Sequence, residues 1–348
     1  MGLMQDGHRK TPTDRGMSKL HKFQAEKMWL APMSGSTDAP FRRQVSRFGD
    51  CAVVSEMVAG EQLARARPDM VRRICRHDGE GRWIVQLAAR DPRDMLAGAQ
   101  LLRAAGVDQI DINMGCPSKQ VTGGQSGSAL MREPELARSI IEAAIEGADG
   151  LPVTLKMRLG WDDASLNAPS LAESAVAAGI VLIAVHGRTR CQFYTGQADW
   201  HAIRNTVDMV NVPVIANGDI CNADDARAAL LASNAHGVMV GRAVLGQPWL
   251  PAMIAADLSD DKFSIPDLHQ QAEALCEQIE DSLSLYGTRT GLKTVRKHVA
   301  ASIDRVDLPL DPATRRDIRG ALCRMDNAEA LMTSISDLYL GDRERVAA

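Results

Sequence analysis

Short apolar runs alternate with longer amphipathic segments along the chain up to about residue 240. Each run is rich in Val, Ile, Leu or Met and is too short to form a helix on its own. Continuous hydrophobicity, rather than strict alternation, is typical of strands that are buried on both faces. The runs are Met28–Met33, Cys51–Met57, Trp83–Ala88, Val107–Met114, Val153–Met157, Ile180–His186, Val212–Ala216 and Gly237–Val240. They predict eight buried parallel strands.

Amphipathic segments between these runs predict helices. Among them are Arg93–Ala105, Pro134–Ala148, Ser170–Ala178 and Ala223–Ala232. Pro134 suits a first helical turn, and Asn222 suits an N-cap. Eight strand–helix units in a row predict an α/β protein with a (β/α)8 TIM barrel. A doubly wound open sheet is the competing architecture, but no recognisable fingerprint loop follows the first strand.

No strand pattern appears from Pro266 onward. The predicted helices there are Gln271–Leu285, Leu292–Ile303, Pro312–Arg324 and Ala328–Leu340. We therefore expect a flexible N-terminal tail over residues 1–22, a barrel over 23–256 and a small all-α domain over 265–340. The polar segment Asp257–Ser264 is the expected linker.

The composition is that of an ordinary globular protein, with 45% apolar and 24% charged residues in a chain of 348. The net charge of −4 means that any nucleic-acid contact must come from a local basic patch. Seven cysteines without metal-ligand spacing argue against disulfides and structural zinc. The polar start lacks the apolar stretch of a signal peptide, and no segment is apolar enough to span a bilayer. We expect a cytoplasmic protein that binds no membrane.

Polar or unusual residues follow nearly every predicted strand. In a TIM barrel the carboxyl ends of the strands surround the active site, so such residues are candidates for chemistry. They are Pro32, Met33, Ser34, Gln86, Asn113, Cys116, Lys156, Arg158, His186, Arg188, Asn217, Gly218, Asp219, Gly241 and Arg242. The coincidence across strands carries more weight than any single residue.

Glycines after the last two strands are candidates for phosphate binding. Gly218 and Gly241 would let backbone N–H groups approach an anion closely, and Arg242 could add a bidentate charge. This is the usual phosphate site of the fold. The alternative is that both glycines merely shape turns. Since barrels without flavin use the same device, it does not identify the ligand.

Lys156 lies inside a predicted strand, where an ammonium is costly unless an anion faces it. A reduced flavin, a Schiff base with a substrate and a structural salt bridge are three explanations that the spacing leaves open. His186 could contact a ligand or be a hydrogen-bonded structural histidine. Gln86 both donates and accepts, which suits the edge of a flavin ring.

Cys116 follows the fourth predicted strand and lies between Gly115 and Pro117. A lone cysteine is more often an inert apolar residue than a catalyst. Its place at the end of a barrel strand favours a catalytic role. We assign the other six cysteines to packing or to the surface.

Ordered motifs across the barrel region resemble the tRNA-dihydrouridine synthases, and within them the bacterial B-type branch once grouped with nitrogen-regulation proteins. The motifs are Ala31–Met33, Thr37–Arg42, Ser55–Met57, Val85–Leu87, Asp111–Pro117, Gly127–Leu130, Lys156–Trp161, His186–Arg190, Ile215–Ile220 and Met239–Arg242. The triplet Arg296–Lys297–His298 resembles the family more weakly.

The resemblance implies an enzyme that reduces specific uridines of tRNA to 5,6-dihydrouridine, with FMN as cofactor and NADPH or NADH as reductant. It implies a hydride to uracil C6 and a proton from Cys116 to C5, with Asn113 facing the base. The residues expected to hold FMN are Pro32, Met33, Ser34, Gln86, Lys156, His186, Asn217, Gly218, Asp219, Gly241 and Arg242.

Reduction of a base in folded tRNA requires the base to leave its stack, so we expect a deep pocket with a positive rim. The candidate rim residues are Lys119, Arg188, Arg190, Lys293, Arg296 and Lys297. The expected partner is tRNA and not DNA, and the expected oligomeric state is a monomer. The alternatives are an FMN-dependent reductase or dehydrogenase of free pyrimidines and a non-catalytic flavin-binding regulatory barrel.

Overall fold

The computed structural model describes residues 23–76, 79 and 81–341 of the chain. The tail predicted for residues 1–22 therefore lies outside the described residues. In the described part, parallel strands form one sheet in the order β2-β1-β9-β8-β7-β6-β5-β4-β3. The strands are β1 (Met28–Leu30), β2 (Ala52–Val53), β3 (Val58–Ala59), β4 (Ile84–Ala88), β5 (Gln109–Met114), β6 (Val153–Arg158), β7 (Leu182–His186), β8 (Val214–Asn217) and β9 (Gly237–Val240).

The predicted second strand is split into two short strands, which pair with opposite ends of the sheet and so close it into a ring. β2 pairs with β1, and β3 pairs with β4. Between them Val54 bridges to Ile84, and the N–H of Ser55 donates to the carbonyl of Ile84 at 3.0 Å. The Ser55 hydroxyl then accepts from the N–H of Gln86, so a side chain replaces the backbone acceptor where the strand is interrupted. The TIM barrel is confirmed, and the open sheet is excluded.

Successive residues of a strand point to opposite sides, and the inward-facing set changes character along the barrel axis. An apolar cluster joins residues from strands on opposite sides of the ring, which can meet only inside it: Trp29, Ile84, Leu182, Ile215 and Met239. Further toward the carboxyl ends the inward positions become polar. Register pairs Asn113 with Lys156 and His186 with Asn217. The barrel is therefore plugged at one end and polar at the other.

Helices surround the strands. They are α1 (Ala39–Phe48), α2 (Gly60–Ala64), α3 (Pro68–Ile74), α4 (Pro92–Ala105), α5 (Lys119–Gly123), α6 (Pro134–Ala148), α7 (Ala168–Ala178), α8 (Trp200–Met209), α9 (Ala223–Ser233) and α10 (Leu250–Leu258). Pro134 begins α6, and the Asn222 side chain caps α9 by accepting from the N–H of Asp225, as predicted. The last turn of α10 overlaps the predicted linker.

The C-terminal region is helical, as predicted. Its helices are α11 (Leu268–Tyr286), α12 (Thr288–Arg305), α13 (Pro312–Arg324) and α14 (Ala328–Leu340). They share an apolar core of their own that includes Ile279, Val295, Val299, Leu322 and Ile335. α11 begins earlier than predicted because Asp267 and Gln270 form a capping box at its start.

The C-terminal helices pack against α1 of the barrel. Arg43 pairs with Asp281 at 2.6 Å, and the Tyr286 hydroxyl donates to Asp38 at 3.1 Å. The Phe41 and His298 rings stack with centroids 4.6 Å apart. Since α1 follows the loop after β1, these contacts hold α11 and α12 beside the polar end of the barrel. No helix in the described part of the chain combines the length and apolarity needed to cross a membrane.

Candidate active site

The polar end of the barrel, which we call the mouth, is built from the carboxyl ends of the strands. Residues expected at the active site from the sequence lie there on or directly after their strands: Pro32, Met33, Ser34, Gln86, Asn113, Cys116, Lys156, His186, Asn217, Gly218, Asp219, Gly241 and Arg242. Pro32 and Met33 are half-buried and Ser34 is exposed. Burial and hydrogen bonding distinguish the roles that the others can play.

The backbone of Cys116 is held from both sides. Its N–H donates to the Asn113 side-chain oxygen at 2.9 Å. Its carbonyl accepts from the Ser128 N–H at 3.2 Å and from the Ser128 hydroxyl at 2.8 Å. At Gly127 the φ angle is +61°, and an added Cβ would lie only 3.0 Å from the Cys116 carbonyl oxygen. The half-exposed Cys116 side chain thus stands on a fixed loop at the mouth.

A chain of side-chain hydrogen bonds sets the orientation of Asn113. Its amide nitrogen donates to Gln86 Oε1 at 2.8 Å, and Gln86 Nε2 donates to Asp111 Oδ2 at 2.7 Å. The Thr154 hydroxyl donates to the other Asp111 oxygen at 2.7 Å. Since Asp111 accepts both bonds, the chain has one direction, and the Asn113 oxygen is left for the Cys116 backbone. Burial raises the pKa of Asp111.

Neither Asp111 nor Thr154 was among the site residues predicted from the sequence. The signal for Asp111 is the two-residue period of a strand, which places it on the same face of β5 as Asn113. Gln86 was expected at a flavin edge. Its amide oxygen accepts a hydrogen bond from Asn113, and one of its N–H groups donates to Asp111.

Lys156 contributes a partly buried cation to the mouth. Its Nζ donates to Asn217 Oδ1 at 3.0 Å, and Asn217 Nδ2 donates to the Met239 carbonyl at 2.8 Å. Burial, together with the charge of Arg158, lowers the pKa of Lys156 to about 8, against the opposing influence of Asp111 and Cys116. The ammonium therefore remains protonated at neutral pH, without a salt bridge in the described part of the chain.

Arg158, two residues further along β6, is 3% exposed. Its Nε donates to the Gly115 carbonyl at 2.9 Å, next to Cys116. Its Nη1 donates to the carbonyls of Thr189 at 2.7 Å and Phe193 at 2.9 Å. Burial lowers the pKa of Arg158 to about 10, so it stays charged. Arg158 thus connects the Cys116 loop to the loop that follows β7.

His186 is buried, and its Nδ1 has no hydrogen-bond partner among the described residues. Burial and the nearby charges of Lys156 and Arg158 lower its pKa well below the usual value, so the ring is neutral. Gly218 has φ +117°, and an added Cβ would lie 3.0 Å from His186 Nε2. Only glycine fits this turn, whereas at Gly241 an added Cβ would meet nothing closer than 3.9 Å.

Arg188 does not lie on an exposed rim, contrary to the prediction. It is 2% exposed and forms a bidentate pair with Asp219 at 2.6 and 2.9 Å. It also donates to the carbonyls of Thr195 at 3.0 Å and Gly196 at 2.7 Å. Burial alone would raise the pKa of Asp219, but the hydrogen bonds from Arg188 and Ala198 outweigh it and lower the pKa. The pair supports the loop after β7.

Arg242 is the exposed cation of this region. Its side chain is 61% exposed, lies 3.8 Å from Asp219 and sits 4.8 Å from the centroid of the Tyr194 ring. Both arginines border a groove of about 770 Å³, together with Tyr194 and Trp200. Of the two arginines, Arg242 is the one exposed to an anion in solution.

The other predicted RNA contacts differ in exposure. Lys119 is exposed at the start of α5, and Lys293 and Lys297 are exposed on α12. Lys297 reaches the mouth, since its Nζ is 3.4 Å from the position of a Cβ added at Gly35. Arg296 is half-buried and donates to the Met325 carbonyl at 3.4 Å. Arg190 is half-buried over the Trp161 ring, 4.7 Å from its centroid.

The site can be compared with known proteins. A solved structure of a 2-naphthoyl-CoA reductase bound to 2-naphthoyl-CoA superposes with a TM-score of 0.51 at 11% identity, over 68% of this chain and 50% of that chain. At that identity the likeness concerns the fold alone.

Sequence relatives are much more similar. A probable tRNA-dihydrouridine synthase of Rhodobacter capsulatus is 50% identical over 285 residues, which cover 81% of this chain and 87% of that protein. The tRNA-dihydrouridine synthase B of Pseudomonas putida is 42% identical over 272 residues, which cover 78% and 80%. The family model described as "Dihydrouridine synthase (Dus)" matches residues 29–319. The resemblance expected from the motifs is confirmed: the chain belongs to the dihydrouridine synthase family.

Proposed function

We propose that this protein reduces specific uridines of tRNA to 5,6-dihydrouridine in the cytoplasm, with FMN as cofactor and NADPH or NADH as reductant. Membership of the dihydrouridine synthase family supports uridine reduction, and the similarity to tRNA-dihydrouridine synthases supports tRNA as the substrate. The observation that carries the mechanism is the fixed Cys116 loop beside two cations, the partly buried Lys156 and the buried Arg158.

The residues of the mouth fit a flavin. Lys156 is a cation without a carboxylate in hydrogen-bonding contact in the described chain, and His186 has a buried ring nitrogen without a partner. A planar anion with hydrogen-bonding edges would satisfy both. Gly218 and the exposed Arg242 suit the phosphate, close to the backbone of two turns. When bound, reduced FMN would supply the hydride that uracil accepts at C6.

Cys116 would supply the proton. Hydride addition at C6 leaves negative charge on C5 and O4 of the base, and an acid must then protonate C5. In this step the S–H bond breaks, the C5–H bond forms, and the sulfur keeps the electron pair as a thiolate. Lys156 and Arg158 interact favourably with that thiolate. Because the side chain is half-exposed, solvent can return the proton after product leaves.

Asn113 would orient the base. Its side-chain oxygen accepts from the Cys116 and Gly115 N–H groups, and one N–H is spent on Gln86. The remaining N–H is available for a uracil carbonyl. Because the hydrogen-bond chain to Asp111 sets this direction, the amide is pre-organised to donate to the substrate.

Unmodified tRNA provides the test. The purified protein, FMN and NADPH are incubated with tRNA transcript and, separately, with free uridine and uracil, and dihydrouridine is measured by mass spectrometry of nucleosides. We expect product from tRNA only. Product from the free pyrimidines at equal or higher rate would support the free-pyrimidine reductase instead.

Cys116→Ala and its matched control Cys191→Ala separate an enzyme from a flavin-binding module. Cys191 is exposed on the loop after β7 and has no assigned role. We expect Cys116→Ala to lose turnover by about 10²- to 10⁴-fold while retaining bound flavin, and Cys191→Ala to match the wild type. Full turnover by Cys116→Ala would refute the assigned proton donor.

A further inference from the structure

Two aromatic side chains are exposed on the loop that follows β7. Phe193 is 42% exposed and Tyr194 is 46% exposed, and their rings meet edge to face at 4.7 Å. No other Phe, Tyr or Trp side chain in the described part of the chain is as exposed. We call these two residues the aromatic tip. Exposed rings in adjacent positions lose the stabilisation that burial would give them, and their faces are open to contact with a ligand.

Buried arginines hold the backbone of the aromatic tip in place. Arg158 donates to the carbonyl of Thr189, which precedes the tip, and to that of Phe193 within it. Arg188 donates to the carbonyls of Thr195 and Gly196, which follow the tip. Phe193 itself has φ +54°, a left-handed conformation that is unfavourable for a bulky residue. The loop is therefore pre-organised. The unfavourable backbone conformation of Phe193 persists in it, with both rings directed outward.

The aromatic tip is next to the chemistry. The same Arg158 guanidinium that binds the Phe193 carbonyl also binds the carbonyl of Gly115, the residue before Cys116. A nucleotide adjacent to one whose base enters the mouth can therefore meet the tip.

Arginine side chains flank the Tyr194 ring of the aromatic tip, with Arg242 at 4.8 Å and Arg158 at 5.7 Å from its centroid. Further along the mouth, Arg132 and Arg190 lie over Trp161, at 3.8 and 4.7 Å from its centroid, and neither forms a salt bridge within the described residues. Aromatic faces interleaved with available cations match a nucleic-acid strand, whose bases stack and whose phosphates are anionic. Two half-exposed rings present roughly 200 Å², far below the ~800 Å² per partner of a stable protein interface.

We propose that the aromatic tip stacks against an unpaired base that neighbours the reduced uridine in the tRNA. The inference rests on the proposed function, because it takes tRNA as the substrate. The stacked neighbour would hold the strand open while the target base occupies the mouth. This is a binding contact, so its loss should act on tRNA affinity and not on the flavin.

Phe193→Gly is the sharpest variant, because glycine adopts the left-handed backbone without strain and only the ring is removed. Phe193→Trp is the conservative partner, since it keeps an aromatic face. Leu101→Ala is the matched control, because Leu101 is 44% exposed on α4, away from the mouth. Each flavin-loaded protein is titrated with fluorescently labelled unmodified tRNA at several salt concentrations.

We expect Phe193→Gly to weaken tRNA binding by about 5- to 150-fold, the range for loss of one stacked base. The dependence of affinity on salt should stay as in the wild type, because no phosphate contact is removed. Phe193→Trp and Leu101→Ala should bind within about twofold of the wild type. Bound flavin should be the same in all four proteins.

Affinity of Phe193→Gly within twofold of the wild type would overturn the proposal, and so would a reduced salt slope or a loss of flavin. The two proposals fail separately. A wild-type protein that forms no dihydrouridine in tRNA refutes the proposed function, whereas an active wild type with an equally tight Phe193→Gly refutes the aromatic tip alone.

Discussion

Replacement of Arg188 tests whether this residue supports the mouth or grips RNA. Its guanidinium makes four hydrogen bonds, two to Asp219 and two to carbonyls of the loop after β7. Arg188→Met removes all four and leaves Asp219 without its bidentate partner. Loss of one member of a buried pair costs about 3–5 kcal/mol. Asp219 is 30% exposed and keeps Arg242 at 3.8 Å, so we expect the lower end, a loss of about 3 kcal/mol.

Urea unfolding of the flavin-free protein measures this loss. Arg188→Lys should cost about 2 kcal/mol, because one nitrogen cannot serve both Asp219 oxygens and both carbonyls. Arg204→Met is the control: Arg204 forms an exposed pair with Asp208, and its loss should cost less than about 0.5 kcal/mol. A combination with Asp219→Asn should show coupling of about 2 kcal/mol. If Arg188→Met unfolds like the wild type yet flattens the salt dependence of tRNA binding, Arg188 is an RNA contact and the reasoning is refuted.

Three further predictions follow from the charges of the site and of the domain contact. Since the pKa of Lys156 is about 8, the affinity of the wild type for flavin should fall by up to about tenfold per pH unit above pH 8, as measured by fluorescence titration with FMN. Lys156→Met should bind FMN more weakly at pH 7 and should not show this fall, and an affinity of the wild type that does not depend on pH would contradict the prediction. Lys297→Met should weaken tRNA binding and lower the salt dependence of tRNA affinity by about 1 in slope, whereas Arg296→Met should change this slope less because Arg296 is half-buried. Lys262→Met, at an exposed lysine, is the control, and equal slopes in all variants would remove α12 from the interface. Burial and Glu56 raise the pKa of Asp38 from 3.8 to about 6, so ionisation of Asp38 lowers the stability of the wild type as pH rises through this window. In urea unfolding, the free energy of unfolding of Asp38→Asn should therefore rise by up to about 3 kcal/mol relative to the wild type between pH 4 and pH 7, and a difference that stays constant with pH would exclude this assignment.

The barrel could be predicted from the sequence because its strands are buried on both faces and carry continuous apolar runs. The break within Cys51–Met57 could not be predicted, since it depends on the Ser55 hydroxyl, which replaces a backbone acceptor for Gln86 on another strand. Helix starts with proline or asparagine caps were found at Pro134 and Asn222, where local chemistry decides the boundary.

The residues of the mouth could be found by their positions at strand ends, but their partners could not. Asp219 lies 31 positions after Arg188, and only the fold brings these two side chains together and buries the arginine. The partners of Asp111 could not be predicted for the same reason, because Gln86 and Thr154 come from neighbouring strands. Val295 and Val299 lie on the buried face of α12. Arg296 is next to Val295 and three positions before Val299, so its half-buried position could have been predicted from this spacing.

Anaerobic single turnover tests the central claim, that a reduced flavin and Cys116 act together on a uracil of tRNA. The flavin-loaded protein is reduced, excess reductant is removed, and unmodified tRNA is added while the visible absorbance of oxidised flavin is followed. We predict that the absorbance returns with one dihydrouridine formed per flavin, and that Cys116→Ala slows the return by about 10²- to 10⁴-fold. A flavin that stays reduced with tRNA, or a Cys116→Ala protein that reoxidises and forms product at the wild-type rate, would contradict the account.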